Sequence, residues 1–294
     1  MFSRRSYLTA VGSALATATA GCSGNSNPGG DADATGTAPG TATQGGETGT
    51  TEIDAPDAQP FDQALQAGDV TVSLSNPVVQ DSYFTRLAAD AGGVMAVEGT
   101  RFVFVTVEST GTTAPSLEDL GMESAETAGS AWTDYEGVTP ARPPTGAEPY
   151  DPERGTGWVG FTVPAPLQTY HRIALSVGEE TARTQLPESV RGQLSAPVPT
   201  YEVSEFSAPE SASPGDAITV SATVSNTSDA AGTFRGALNG AETTFVDREL
   251  QAGSTTEWQT EVTATATDED ANELDLSFQA VGVQEGATVS LDER

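Results

Sequence analysis

Few residues in this chain are equipped for covalent or acid–base chemistry. Among its 294 residues there is one cysteine, Cys22, and one histidine, His171, against 42 aspartates and glutamates and 12 basic residues, every one of them arginine. A single imidazole excludes metal sites that need two histidines, including the blue-copper set and the zincin helix. A Ser-His-Asp triad would have to use His171, and no Gly-x-Ser-x-Gly turn accompanies it. Without lysine there is no phosphate-binding Gly-Lys pair, and no Gly-x-Gly-x-x-Gly leads into a helical pattern. Paired carboxylates alone can run a glycosidase, but with 42 of them the sequence singles out no pair. No catalytic, cofactor-binding or metal-ligating residue is therefore assigned. His171, within Tyr170-His171-Arg172, reads as an ordinary surface or edge residue of a strand.

Cys22 is different, because its context supplies a reaction. It follows Thr19-Ala20-Gly21 and closes an uncharged stretch from Tyr7 to Ala20. That stretch is about fourteen residues, short of the roughly twenty needed to span a bilayer, so it reads as a processing segment. Arg4 and Arg5 are the only charges before it. Ser3-Arg4-Arg5-Ser6-Tyr7-Leu8 resembles a twin-arginine export signal, joined to a lipobox ending at Cys22. The resemblance implies that Arg4 and Arg5 address the export machinery and that Cys22 takes a lipid. It also accounts for a lone thiol in an exported protein, where an odd cysteine is otherwise unpaired and oxidisable. No polybasic patch supplies a second membrane signal, so stable anchoring would need more than one chain on Cys22.

Two of the arginines lie in this signal; the remaining ten face 42 carboxylates, a formal charge of −32 on the mature chain. Such a charge strains a compact fold by self-repulsion. At about 1 M salt the screening length falls to roughly 3 Å, and most of that strain disappears. The acidic, lysine-free composition resembles that of exported haloarchaeal proteins. It also argues against a nucleic-acid partner, since neutralising phosphates takes clustered basic residues and these arginines are scattered.

Residues 22–59 are built from Gly, Thr, Ala, Asp, Pro and Ser, with Ile53 the only large aliphatic. They have almost nothing to bury and read as a disordered tether after the signal peptide at 1–21. Beyond it the pattern is all-β, and two sandwich domains are expected, at 60–199 and 200–294. In the second, Ile218, Val220, Ala222 and Val224 alternate with hydroxyl residues, and short runs recur at Tyr201–Phe206, Phe234–Leu238, Thr243–Val246, Thr256–Ala264, Leu274–Ala280 and Ala287–Leu291. Seven strands with regular turns suggest an immunoglobulin-like sandwich with no disulfide. Pro214-Gly215-Asp216, followed by Ile218-Thr219-Val220 and Thr223-Val224-Ser225-Asn226-Thr227, resembles CARDB-type Ig-like modules. That resemblance implies a surface or spacer role without catalytic residues.

In the first domain Val70–Leu74 alternates, Trp158–Val163 and Tyr170–Val177 follow, and Phe102–Val107 is apolar on both faces, as in a central strand covered twice. With Gly157-Trp158-Val159-Gly160-Phe161-Thr162-Val163-Pro164, this order is faintly similar to DUF4352-type Ig-like domains of secreted lipoproteins. A Gly/Pro-rich excursion at 115–156 carries Trp132, Tyr135 and Tyr150. Exposed, these aromatics would suit carbohydrate or protein contact; folded back, they would cap the sandwich edge. Asn226-Thr227-Ser228 is an N-glycosylation sequon, and an asparagine chosen for turn geometry fits equally. Asp268-Glu269-Asp270-Ala271-Asn272 fails as a calcium loop, having Glu273 where glycine is required and Gln279 where glutamate is.

The expected protein is thus lipid-anchored on the outer face of the cell membrane of a halophilic archaeon, with no cofactor. Its role is expected to be non-catalytic binding or spacing, through an envelope protein or glycan. The alternative is a carboxylate-based polysaccharide hydrolase.

Overall fold

A computed structural model describes residues 57–88, 91–125, 127–266 and 272–292. Cys22, Arg4, Arg5, nearly all of the 22–59 stretch and the acidic run 267–271 lie outside them. Residues 51–294 group as one compact unit.

The regular secondary structure of the described chain is almost entirely strand. In order come β1 (Leu65–Ala67), β2 (Val70–Gln80), β3 (Tyr83–Arg86), β4 (Gly92–Met95), β5 (Thr100–Ser109), a 3-10 turn (Leu117–Asp119), β6 (Leu120–Ser124), β7 (Ala128–Ser130), β8 (Thr156–Pro164), β9 (His171–Val177) and β10 (Glu180–Gln185). After the helix α1 (Glu188–Ser195) follow β11 (Tyr201–Ser207), β12 (Ser211–Ala212), β13 (Ala217–Asn226), β14 (Gly232–Asn239), β15 (Thr244–Leu250), β16 (Thr255–Thr263), β17 (Glu273–Ala280) and β18 (Val283–Leu291).

Two four-stranded sheets, β1-β2-β5-β8 and β10-β9-β6-β7, enclose one hydrophobic core. Val103, Val105 and Val107 of β5 and Val159, Phe161 and Val163 of β8 point into it, facing Leu120, Met122, Ile173 and Leu175. The even-numbered residues of β5 and β8 point the other way. Phe102, Phe104 and Trp158 form a second apolar layer with Tyr83, so β5 is covered on both faces, as its unbroken apolar run dictates. The sheets β11-β13-β16 and β12-β18-β17-β14-β15 enclose a separate core. There β13 follows strict alternation, with Ile218, Val220, Ala222 and Val224 buried and Thr219 exposed on the opposite face.

Several elements differ from the sequence reading. The excursion at 115–156 is not one long loop, because β6 lies inside it and pairs with β9 in the middle of a sheet. Only Leu120 and Met122 of β6 are buried, too brief a period-2 signal to distinguish from a loop. The body also begins before residue 60: Gln59 N donates to Arg183 O (2.9 Å) and Gln185 N donates to Gln59 O (3.1 Å). Helix α1 interrupts the all-β pattern. It buries Val190 and Leu194, one turn apart, against the first core, and two apolar residues in eight are too few to announce a helix.

Candidate functional site

None of the three aromatics of the excursion forms an exposed patch: Trp132 and Tyr135 pack on the outer layer, and Tyr150 enters the core between the sheets. Trp132 N donates to Gly160 O (3.0 Å), and Gly160 N donates back to Trp132 O (2.8 Å). Nearby, Tyr150 N donates to Trp158 O (3.0 Å) and Trp158 N to Glu148 O (2.8 Å). These bonds close the free edge of β8, which would otherwise invite pairing with another chain. The Trp132 ring fills the space that a side chain on residue 160 would need: a Cβ there would lie 2.7 Å from the ring, so only glycine fits. It meets Phe104 (5.5 Å between centroids) and Tyr135 (5.5 Å). Tyr150 is buried, and its hydroxyl donates to Pro115 O (2.8 Å).

Asn226 is also spent within the fold. It is buried, its Nδ2 donating to Ala230 O (2.8 Å) and Leu250 O (3.3 Å) while its Oδ1 accepts from Ser228 N (3.1 Å) and Ser228 Oγ (2.8 Å). A glycan on this amide does not fit the folded chain, and the asparagine serves the turn.

His171 corrects the expectation of a surface or edge residue, for it is buried at the start of β9. Burial pushes its imidazole below the ordinary range, opposed only in part by the contact of Nδ1 with Thr169 O (3.3 Å). Nε2 is buried without a hydrogen-bond partner. On the same sheet, burial opposes the charge of Glu123, but hydrogen bonds from Arg183 (2.9 Å) and Arg172 (3.0 Å) outweigh it and hold the carboxyl below its usual range. That is the reverse of a general acid's tuning.

The most organised polar constellation lies where the two sandwiches meet, and no sequence motif pointed to it. The β3–β4 hairpin leaves the first sandwich and docks on the second. Gly92 N donates to Asn239 Oδ1 (2.8 Å), and Asn239 Nδ2 donates to Gly92 O (3.0 Å), a two-point bond in which one side chain imitates a strand neighbour. Thr243 Oγ1 donates to the same Oδ1 (3.0 Å). A Cβ on residue 92 would come within 2.6 Å of Thr243 and 2.7 Å of the Phe245 ring, which explains the glycine. Beside this clasp, Phe84 and Phe245 pack at 4.7 Å, and the Arg142 guanidinium sits 5.1 Å from each ring.

A second tie uses Arg101, which is 5% exposed. Its Nε pairs with Asp81, its Nη1 reaches Gln193 O and Ala196 O (2.8 Å), and its Nη2 reaches Pro197 O (2.8 Å). A buried cation thus collects the carbonyls where α1 ends and the chain passes to β11. The signal available in sequence was an arginine flush against a doubly apolar strand. Asn239-Gly240 has the composition of an ordinary hairpin turn.

Beside the Arg101 tie, residues of both sandwiches line a cleft of about 490 Å³. Its apolar lining includes Val97, Val198, Pro199, Tyr201 and Val281, and among the described residues its only charged lining residues are Asp81 and Glu98. Val281 is 43% exposed; among the described residues only Leu87 is another exposed large hydrophobic. Among the described residues no group of three or more His, Cys, Asp or Glu side chains could hold a metal, and no helix is long and apolar enough to cross a membrane. No family model matches the chain, and no curated protein matches it.

Proposed function

We propose that this chain is a lipid-anchored protein on the outer face of a halophilic archaeal membrane, where it works by non-catalytic binding of an envelope component. The observation that carries the binding role is the junction cleft, an apolar concavity of small-ligand size whose Asp81 wall is held by the buried Arg101. At its rim Asp81 is engaged by Arg101 and Arg101 by backbone carbonyls, which leaves Glu98 as the exposed carboxylate of the lining. Such a site is built to hold a shape. The anchoring role rests on the export-like segment and Cys22, and the halophilic role on the lysine-free, acidic composition. The CARDB-type resemblance of the second sandwich agrees with a display module.

The anchor is tested by expressing the chain and its Cys22→Ser variant in a haloarchaeal host and partitioning each between membrane and medium. The native chain is expected in the membrane fraction and the variant in the medium. Equal membrane retention of both would remove the lipid anchor from this reading.

A further inference from the structure

We propose that the junction cleft binds a small organic cation with an apolar body, an alkyl- or arylammonium compound. In this arrangement its carbon frame lies against Val97, Val198, Pro199 and Val281, and its ammonium faces Glu98. The inference rests on the binding role proposed above and names the ligand class. Three observations support it.

The first is size and lining. A volume near 490 Å³ falls in the range of small-molecule sites, about 300–1,000 Å³, which are mostly apolar with a few placed polar groups. The second is exposure. On a chain of formal charge −30, an exposed valine at the β17–β18 turn beside further apolar lining is a departure from the surrounding surface. The third is the sign of the free charge. Both charged lining residues are carboxylates, and Asp81 is largely neutralised by Arg101. Glu98 is exposed and makes no hydrogen bond or ion pair within the described residues. An ammonium can satisfy that carboxylate, whereas a ligand carboxylate would meet like charge. One wall is also held in advance, since Asp81 pairs with Arg101, whose guanidinium is caged by Ala196 O and Pro197 O, so a ligand need not order it.

The test uses three probes that share one carbon frame: 3-phenylpropylammonium, 3-phenylpropan-1-ol and 3-phenylpropanoate. Each is titrated against the exported body in molar NaCl and followed by saturation-transfer NMR. The ammonium is expected to bind more tightly than the alcohol, by up to about threefold since an exposed ion pair is weakened by molar salt, and the carboxylate more weakly than either. Glu98→Gln should bring the ammonium and the alcohol to equal affinity. Val281→Gly should weaken both. Because both residues are exposed, unchanged near-ultraviolet circular dichroism is the check that the variants fold. Equal binding of all three probes, or tightest binding of the carboxylate, would overturn the cation assignment while leaving a ligand cleft. Saturation transfer to none of them would overturn the cleft as a small-molecule site, and membrane display would still stand or fall on Cys22→Ser.

Discussion

The first sandwich carries a third layer, whereas the second has the plain two-sheet form. On β5 the residues facing away from the core are Phe102 and Phe104, covered by Tyr83, Trp132 and Tyr135. On β13 the corresponding face is Thr219, Ser221, Thr223 and Ser225, where Ser225 and Thr255 share a hydrogen bond of 2.9 Å across to β16. The extra layer is made by the hairpin β3–β4 and by the excursion, and these same segments deliver Gly92, Phe84 and Arg142 to the junction. An apolar outer face is thus what gives the first sandwich something to hold the second with. A sheet ending in hydroxyls and carboxylates, as β13 and β16 do, offers hydration instead.

That contrast predicts very different costs for removing a side chain from equivalent outer faces. Phe104→Ala deletes a fully buried ring and should destabilise by about 3–5 kcal/mol. Thr219→Ala, on the exposed face of β13, should stay within about 0.5 kcal/mol. Denaturant titration in molar salt measures both, and a Phe104→Ala loss as small as that of Thr219→Ala would dissolve the distinction between covered and bare sheets. The next effect is at the junction. Asn239→Ala leaves the buried N–H and C=O of Gly92 without partners and should cost about 2 kcal/mol. Hydrogen exchange sharpens this prediction, since the Gly92 amide should lose protection while the amides of β5 keep theirs. Unchanged protection at Gly92 would mean that the hairpin holds the second sandwich by its rings alone.

The same contrast explains how much could be read from the sequence. The second sandwich was the more legible, since Ile218 to Val224 alternate with hydroxyl residues and each expected run falls on an observed strand. The double covering of β5 was legible too, because six apolar or β-branched residues in a row leave no face for water. What covers that face was not. Pairing of Trp132 with Gly160 joins residues 28 apart through backbone bonds that leave no periodic trace. The junction was hidden for a related reason. Asn239 and Gly92 are 147 residues apart, and neither has a local pattern to distinguish it from a turn residue. Arg101 directly precedes the apolar run of β5, and nothing local marks it as a buried cation serving a neighbouring helix end.

The smallest effect is confined to the first sandwich and depends on pH. His171 is the chain's only histidine, so titration near neutrality reports on β9 and on no residue of β11–β18. Burial holds its folded-state pKa below the ordinary value of 6.5, so on acidification the unfolded chain takes up a proton before the folded chain does. Stability should therefore be level above about pH 6.5 and decline as pH falls from there toward the depressed folded value. Glu123 acts in a separate, lower window. Its pKa lies below the ordinary carboxylate value, so its contribution is complete above that value and fades only as pH drops through the folded one. His171→Phe, which keeps an aromatic ring but removes the orphaned Nε2, should flatten the first decline and leave the second in place. Thermal midpoints measured at several pH values in constant molar salt check this. Parallel curves for the native chain and the variant from neutrality down to the carboxylate range would mean that the buried imidazole finds a way to hold its proton. In that case the pH-dependent difference between the two sandwiches near neutrality would vanish, although the difference in their covering would remain.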